Sequence, residues 1–156
     1  MSLPTSLTGL SEREAIKDAL YRVCSSFDTH DVAMFNSSWI GQDVTLELLG
    51  HATHGLEAIR TGVLDRIKHL DTLHTVTNVR IDVQPGASKA SLTANAMNQH
   101  CPLDTGTDPK APKYLTGCTY FLDLVKDESD GLWKIKTFKI NVIWTQGDAS
   151  VMIPSK

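Results

Sequence analysis

Three polar side chains stand in this sequence where chemistry could be done: Asp28, His74 and His100. Asp28 closes a run in which Ile16, Ala19, Leu20, Val23 and Phe27 recur at three- and four-residue steps. It also follows Tyr21 by two helical turns, so a helix carries both near one face. A carboxylate there points toward a cavity or its rim. The same spacing fits a helix C-terminal residue or the N-cap of a following helix, and both readings stay open. His100 shares strand parity with Leu92, Ala94 and Ala96, so its imidazole faces the buried side, beside small alanines that leave space above the sheet. A hydrogen-bonded core histidine has the same pattern. His74 opens the stretch His74-Thr75-Val76-Thr77-Asn78, and its facing is ambiguous because Val76 and Val79 disagree in parity.

Two histidines and a carboxylate around an apolar cavity form an acid–base set. A histidine beside an aspartate takes a proton near neutral pH, because the carboxylate stabilises the imidazolium and fixes the tautomer. The second histidine then protonates a leaving group or holds an oxyanion. That chemistry needs no separate cofactor. The competing constellations are weaker. His51 and His54 lie near Asp43 and Glu47, but a turn bearing HxxH is a poor metal signature. Cys24, Cys101 and Cys118 lack CxxC spacing and read as small buried hydrophobes. Neither common glycine-rich phosphate loop occurs. Trp39, Trp133, Trp144, Phe121 and Tyr120 read as core or cavity wall, and an aromatic wall suits a flat polycyclic substrate.

The chain has 156 residues, 15 basic and 18 acidic, with a formal charge of -3 and 41% hydrophobic residues. That length fits one domain with its own core. Dispersed Lys and Arg give no footprint for nucleic acid, and no apolar run approaches the ~20 residues of a bilayer span. Residues 1–10 show neither a basic n-region nor an apolar h-region, so the expectation is a cytoplasmic protein.

The elements that must position these residues follow in order. Residues 1–10 are polar and read as a flexible N-terminus. Ser11 to Glu14 reads as a capping box that starts the first helix. Asp31 caps a short second helix through Met34 and Phe35. Val44 to Leu49 is a β-type run ended by Gly50, and Leu56, Ile59, Val63, Ile67 and Leu70 return to helical spacing. Beyond residue 73 the sequence reads as four long strands: His74 to Val83, Lys89 to His100, Tyr114 to Val125 and Leu132 to Trp144. In the last, Trp133 and Ile135 are odd whereas Phe138, Ile140, Val142 and Trp144 are even, which is the slip a β-bulge produces. Helices first and a bent meander afterwards predict an α+β fold with the helices on the concave face of a cone-shaped, curved antiparallel or mixed sheet. The domain spans 11–148 and leaves 149–156 as a tail. The other face of that sheet, rich in Leu, Phe and Ile, predicts self-association.

Four segments resemble the SnoaL-like branch of the nuclear-transport-factor-2-like superfamily, and within it scytalone dehydratase, over roughly residues 10–148. They are Ser26-Phe27-Asp28-Thr29-His30-Asp31, Leu73-His74-Thr75-Val76-Thr77-Asn78, Asn98-Gln99-His100, and Asp130-Gly131-Leu132-Trp133-Lys134-Ile135 through Trp144. The resemblance implies a cone-shaped, cystatin-like α+β barrel working without metal or organic cofactor. Asp28 would orient His74 as general base, while His100 assists a leaving hydroxyl. It further implies removal of a proton beside a carbonyl, followed by loss of water or return of the proton elsewhere. The sequence departs from the dehydratase at carbonyl-polarising positions. Phe27 stands where a tyrosine is expected, Val44 to Leu49 holds none, and Thr116-Gly117-Cys118 keeps one small polar contact, Thr116.

The expectation is therefore a dehydratase or isomerase acting on a hydroxylated cyclic ketone of secondary metabolism, polyketide- or terpenoid-like. Asp28, His74 and His100 would be its catalytic set, and Tyr21, Phe27, Asn78, Thr116, Tyr120 and Trp144 its substrate contacts. The expected partners are an apolar cyclic small molecule and further copies of the chain as a homodimer or homotrimer, with no nucleic acid and no membrane. Two rivals stand beside it: a non-catalytic binding or dimerisation module of the same fold, and an epoxide hydrolase or cyclase. The latter needs a carboxylate pair, of which Asp28 supplies one member.

Overall fold

The first helix starts where its capping chemistry dictates. In the computed structural model, which describes residues 3–153, Ser11 Oγ accepts from the Glu14 amide and the Glu14 carboxylate accepts from the Ser11 amide. Helix α1 (Glu12–Thr29) then buries its apolar stripe, with Ile16, Ala19, Leu20 and Val23 wholly inaccessible and Phe27 nearly so. It ends at His30, whose φ of 53° turns the chain into the left-handed region. At the next residue, Asp31 Oδ1 accepts from the Met34 amide at 2.9 Å and starts α2 (Val32–Ser37). A buried Arg22 ties these elements together, donating to the carbonyls of Ser37 and Trp133 and pairing with Asp18.

The sheet has six strands in the order β2-β1-β6-β5-β4-β3. They are β1 (Thr45–Leu48), β2 (His51–His54), β3 (Leu70–Asp82), β4 (Lys89–Pro102), β5 (Tyr114–Lys126) and β6 (Trp133–Gly147). Only the β1–β6 pair is parallel. The sheet is mixed and open, with β2 and β3 as its edges. Strand β2, which the sequence reading did not foresee, returns from β1 through Leu49 and Gly50, both at positive φ, the geometry of a tight hairpin turn. The single helix expected over 56–70 is three short pieces: α3 (Leu56–Ile59), a π-helical turn (Arg60–Leu64) and α4 (Asp65–Ile67). Leu70 already belongs to β3, so that apolar spacing ran across an element boundary.

Bulges decide which side chains face the helices. On β6 the register slips at Lys136, as the parity change predicted, and Ile135 and Phe138 both face inward. A second slip at Ile143 was not legible. It sets Trp144 opposite Gly117 on the outer face, 42% exposed, where its indole occupies the space a Cβ at Gly117 would need. On β3 one residue is extra between Thr77 and Arg80. Asn78, with φ 52°, takes up the bulge, a conformation that asparagine tolerates far better than a β-branched residue. This resolves the parity conflict: Val76 and Val79 are both half-buried, one on each side of the bulge, and His74 shares the inward set with Thr72 and Val76.

The core lies between α1, α2 and the inner face, where Trp39, Leu92, Tyr120, Leu122, Trp133 and Phe138 are almost fully buried. A 3-10 turn (Ala149–Met152) folds Val151 back against β4 and β5. Among the described residues, no helix is long and apolar enough to cross a membrane. Residues 1–2 of the expected flexible N-terminus and 154–156 of the expected tail lie outside the described residues.

Candidate active site

Asp28 sits in the last turn of α1, where the helix meets the first strand of the long meander. Its carboxylate receives three donors from one strand. Thr72 Oγ donates to Oδ1 at 2.8 Å, the His74 amide donates to Oδ2 at 2.9 Å, and His74 Nδ1 lies 2.6 Å from Oδ1. Thr72 and His74 are two residues apart on β3, so both reach the same face, and the backbone amide between them fixes the carboxylate's plane. An acceptor-only carboxylate forces the ring proton onto Nδ1, which leaves Nε2 of His74 with a lone pair. The His74 side chain is 9% and the Asp28 side chain 15% exposed, so the pair is sheltered yet reachable. Phe27 packs on the imidazole with ring centroids 5.4 Å apart.

His100 is the cross-strand partner of Thr72, two residue pairs along from His74 and on the same face, and the two imidazoles meet edge to face with centroids 6.1 Å apart. Its Nδ1 donates to the Tyr114 carbonyl across β4–β5 at 3.1 Å, so Nε2 is the nitrogen left for chemistry. Burial pushes the His100 pKa below the usual histidine range and the neighbouring His74 adds to that, while the Tyr114 bond and Asp28 oppose it. The balance favours the neutral ring over the charged one.

This shift has a consequence for stability. A histidine with a lowered folded pKa binds fewer protons folded than unfolded, so unfolding free energy rises with pH through that window and falls on acidification. The denaturation midpoint is expected to drop as pH falls from about 7 to about 5, through the ordinary histidine value of ~6.5. His100→Gln should flatten that slope, which urea titrations at several pH values would measure.

The structure thus brings Asp28, His74, His100 and Phe27 together, with Thr116 and Tyr120 on the same inner face and buried. It does not bring the other expected contacts there. Tyr21 is 43% exposed on α1, two turns back from Asp28. Asn78 is exposed because it is the bulge residue, and Trp144 is turned outward by the second slip on β6. Sequence reasoning missed Thr72, whose only signal was its place two residues before His74. It also missed the backbone carbonyl of Tyr114, which no side-chain pattern encodes. His51 and His54 belong to the edge strand β2, and His54 Nδ1 lies 3.0 Å from Thr45 Oγ. Among the described residues, no group of three or more His, Cys, Asp or Glu side chains converges as a metal site would.

A paired Asp–His set beside a second histidine, on the inner face of a helix-covered bent sheet, is a recognisable arrangement. A family model for the SnoaL-like domain matches residues 8–139. The chain belongs to the SnoaL-like family. This SnoaL-like protein is 42% identical over 151 residues to the terrestric acid biosynthesis cluster protein E of Penicillium crustosum, covering 96% of each chain. Solved structures share its fold at lower identity. A scytalone dehydratase-like protein of Novosphingobium aromaticivorans superposes with a TM-score of 0.72 at 19% identity, over 88% of this chain and 87% of that one. The hexachlorocyclohexane dehydrochlorinase LinA type 2 gives 0.70 at 18% identity, over 92% and 93%. At such identities the likeness is one of fold.

Proposed function

We propose that this SnoaL-like protein is a dehydratase or isomerase acting by general acid–base catalysis on a hydroxylated cyclic ketone of secondary metabolism. The observation that carries the reading is the Asp28 carboxylate, held by three donors of which one is His74 Nδ1 at 2.6 Å. The relative from a biosynthesis cluster supports the setting. His74 Nε2 takes the proton from the carbon beside the carbonyl, and Asp28 stabilises the resulting imidazolium. In dehydration the C–O bond then breaks and the departing hydroxide takes the Nε2 proton of His100 in its cationic form, the form that burial disfavours, while Nδ1–H stays on the Tyr114 carbonyl. His74 afterwards loses its proton to solvent as His100 regains one, so no net charge accumulates. In isomerisation His74 returns the proton at another carbon. The apolar surroundings from Phe27, Ala94 and Ala96 suit a cyclic substrate and strengthen each charge interaction.

The test is a panel of β-hydroxylated cyclic ketones incubated in D₂O. Water loss is followed by enone absorbance and α-carbon exchange by NMR. Turnover or α-exchange abolished by His74→Gln supports the proposal. A panel that shows tight binding without exchange favours the binding-module reading instead.

The same proposal includes self-association through the outer face of the sheet. Leu73, Met97, Phe121, Ile143 and Trp144 are each between 42% and 64% exposed there. Threonines 75 and 77 and Asn95 lie among them and carry no charge. Lys139, opposite Phe121, is paired with Glu47 at 2.9 Å, so this apolar patch meets another copy with little like-charge repulsion. Sedimentation of the wild type is expected to give a dimer or trimer, and Met97→Glu with Ile143→Lys a monomer. A monomeric wild type at micromolar concentration would remove this part.

A further inference from the structure

The row of side chains running across the inner face from His74 contains one member without a task in the scheme above. Asn98 pairs directly with His74 across β3–β4 and with Thr116 across β4–β5. Opposed residues of neighbouring strands carry Cβ atoms about 4.5–5.5 Å apart. Asn98 is 5% exposed, and the inward positions before it on β4 are Leu92, Ala94 and Ala96. A small hydrocarbon would complete that series, whereas a buried amide must find partners or cost roughly 1–3 kcal/mol.

Its partners are unevenly engaged. Tyr120 Oη lies 2.9 Å from Asn98 Nδ2 and 3.2 Å from Oδ1, so the phenol holds the amide by one edge. Burial keeps that phenol protonated, its pKa pushed far above the usual tyrosine value. The remaining N–H reaches only Thr116 Oγ at 3.3 Å and Cys118 Sγ at 3.8 Å, both long. Thr116 Oγ accepts from Asn98 and Cys118, and no acceptor among the described residues takes its own proton. Two donors, one weakly used and one unused, therefore sit one and two strands away from the base. The carboxylate whose charge is felt here, Asp28, is already engaged by three donors of β3.

We propose that Asn98, anchored by Tyr120 and flanked by Thr116, is the oxyanion donor of this site. It binds the substrate's carbonyl oxygen through Nδ2–H and takes the charge that develops there when the α-proton leaves. This rests on the reading of His74 as base. It also answers where carbonyl polarisation comes from in a chain that has Phe27 and a tyrosine-free first strand at the positions the resemblance fills with tyrosine. Donors set in place before reaction are worth most in a sheltered site, and loss of one typically costs ~10²–10³-fold in rate.

The test uses 4-nitrophenol as an enolate mimic, since its phenolate and phenol forms absorb differently, with 4-nitroanisole as an uncharged control of similar shape. Wild-type protein is expected to bind the phenolate preferentially. Asn98→Leu should weaken phenolate binding about tenfold or more, the worth of a hydrogen bond to a charged group, with little change for the anisole. Because Asn98→Leu strands the Tyr120 hydroxyl, the double variant Asn98→Leu/Tyr120→Phe, which leaves no orphan, serves if the single one unfolds. His74→Gln should keep the Asn98-dependent phenolate preference while abolishing α-exchange, so failure of the base assignment and failure of this one read differently. No phenolate preference in the wild type, or equal loss of both probes in the Asn98 variants, overturns the proposal.

Discussion

Replacing His74 with glutamine is expected to lower turnover of a hydroxylated cyclic ketone by ~10²–10⁴-fold, the range for one general acid–base group, with the fold unchanged. Glutamine keeps a donor toward Asp28 and fills similar volume, so Thr72 and the residue-74 amide still hold the carboxylate. What disappears is the lone pair at Nε2. The loss should therefore fall on kcat rather than KM, since an interaction made only during proton transfer adds nothing to ground-state binding. Circular dichroism and thermal melting check the fold, and α-proton exchange in D₂O reports the base independently of water loss. Undiminished exchange in this variant would end the base assignment.

The second large effect is expected from Asp28→Asn, which changes one oxygen to an amide nitrogen and almost nothing in size. The aspartate accepts from three donors. Asparagine offers one oxygen and one NH₂ group, so all three cannot be satisfied. If its NH₂ faces the ring, Nδ1 must become the acceptor and the proton moves to Nε2, the position that has to be bare. The same substitution in serine-protease triads costs ~10⁴-fold through the wrong tautomer, and a loss of that order is expected here. The readout is the ¹⁵N chemical shifts of His74. The wild type should show a protonated Nδ1, and the variant a protonated Nε2. A variant that keeps the wild-type tautomer together with wild-type rate would show that the carboxylate has no positioning role.

Local signals were legible wherever the physics was local. The capping box at Ser11, the cap at Asp31 and the stripe from Ile16 to Phe27 involve residues within one or two turns, and each appears in the structure. Alternation on β4 fixed His100 as inward because every second residue from Ala90 to His100 is buried on one face. The bulge at Lys136 was visible because it shifted hydrophobic parity without ending it. The spacing over 56–70 misled because an apolar residue serves a helix or a strand equally, and Leu70 had changed element.

What stayed hidden depended on pairing between distant strands. Trp144 read as inward from its parity with Phe138, Ile140 and Val142, and only the slip against Gly117 on β5 turns it outward. Asn78 was expected as a contact from its place in the Leu73-to-Asn78 segment that carries the resemblance. Its side chain type instead serves a left-handed bulge whose register is set by β4.

The sequence by itself determined the cast of residues, the α+β order of elements and the inward facing of His100, since these follow from composition, caps and period. The tertiary structure alone decided that His74 meets Asp28, that Thr72 and the residue-74 amide complete the carboxylate's shell, and that Asn98 lies beside the base. The reason is physical: a hydrogen bond between residues 46 positions apart needs a register to within one residue, and that register is fixed by strand pairing and bulges across the whole sheet rather than by any segment alone.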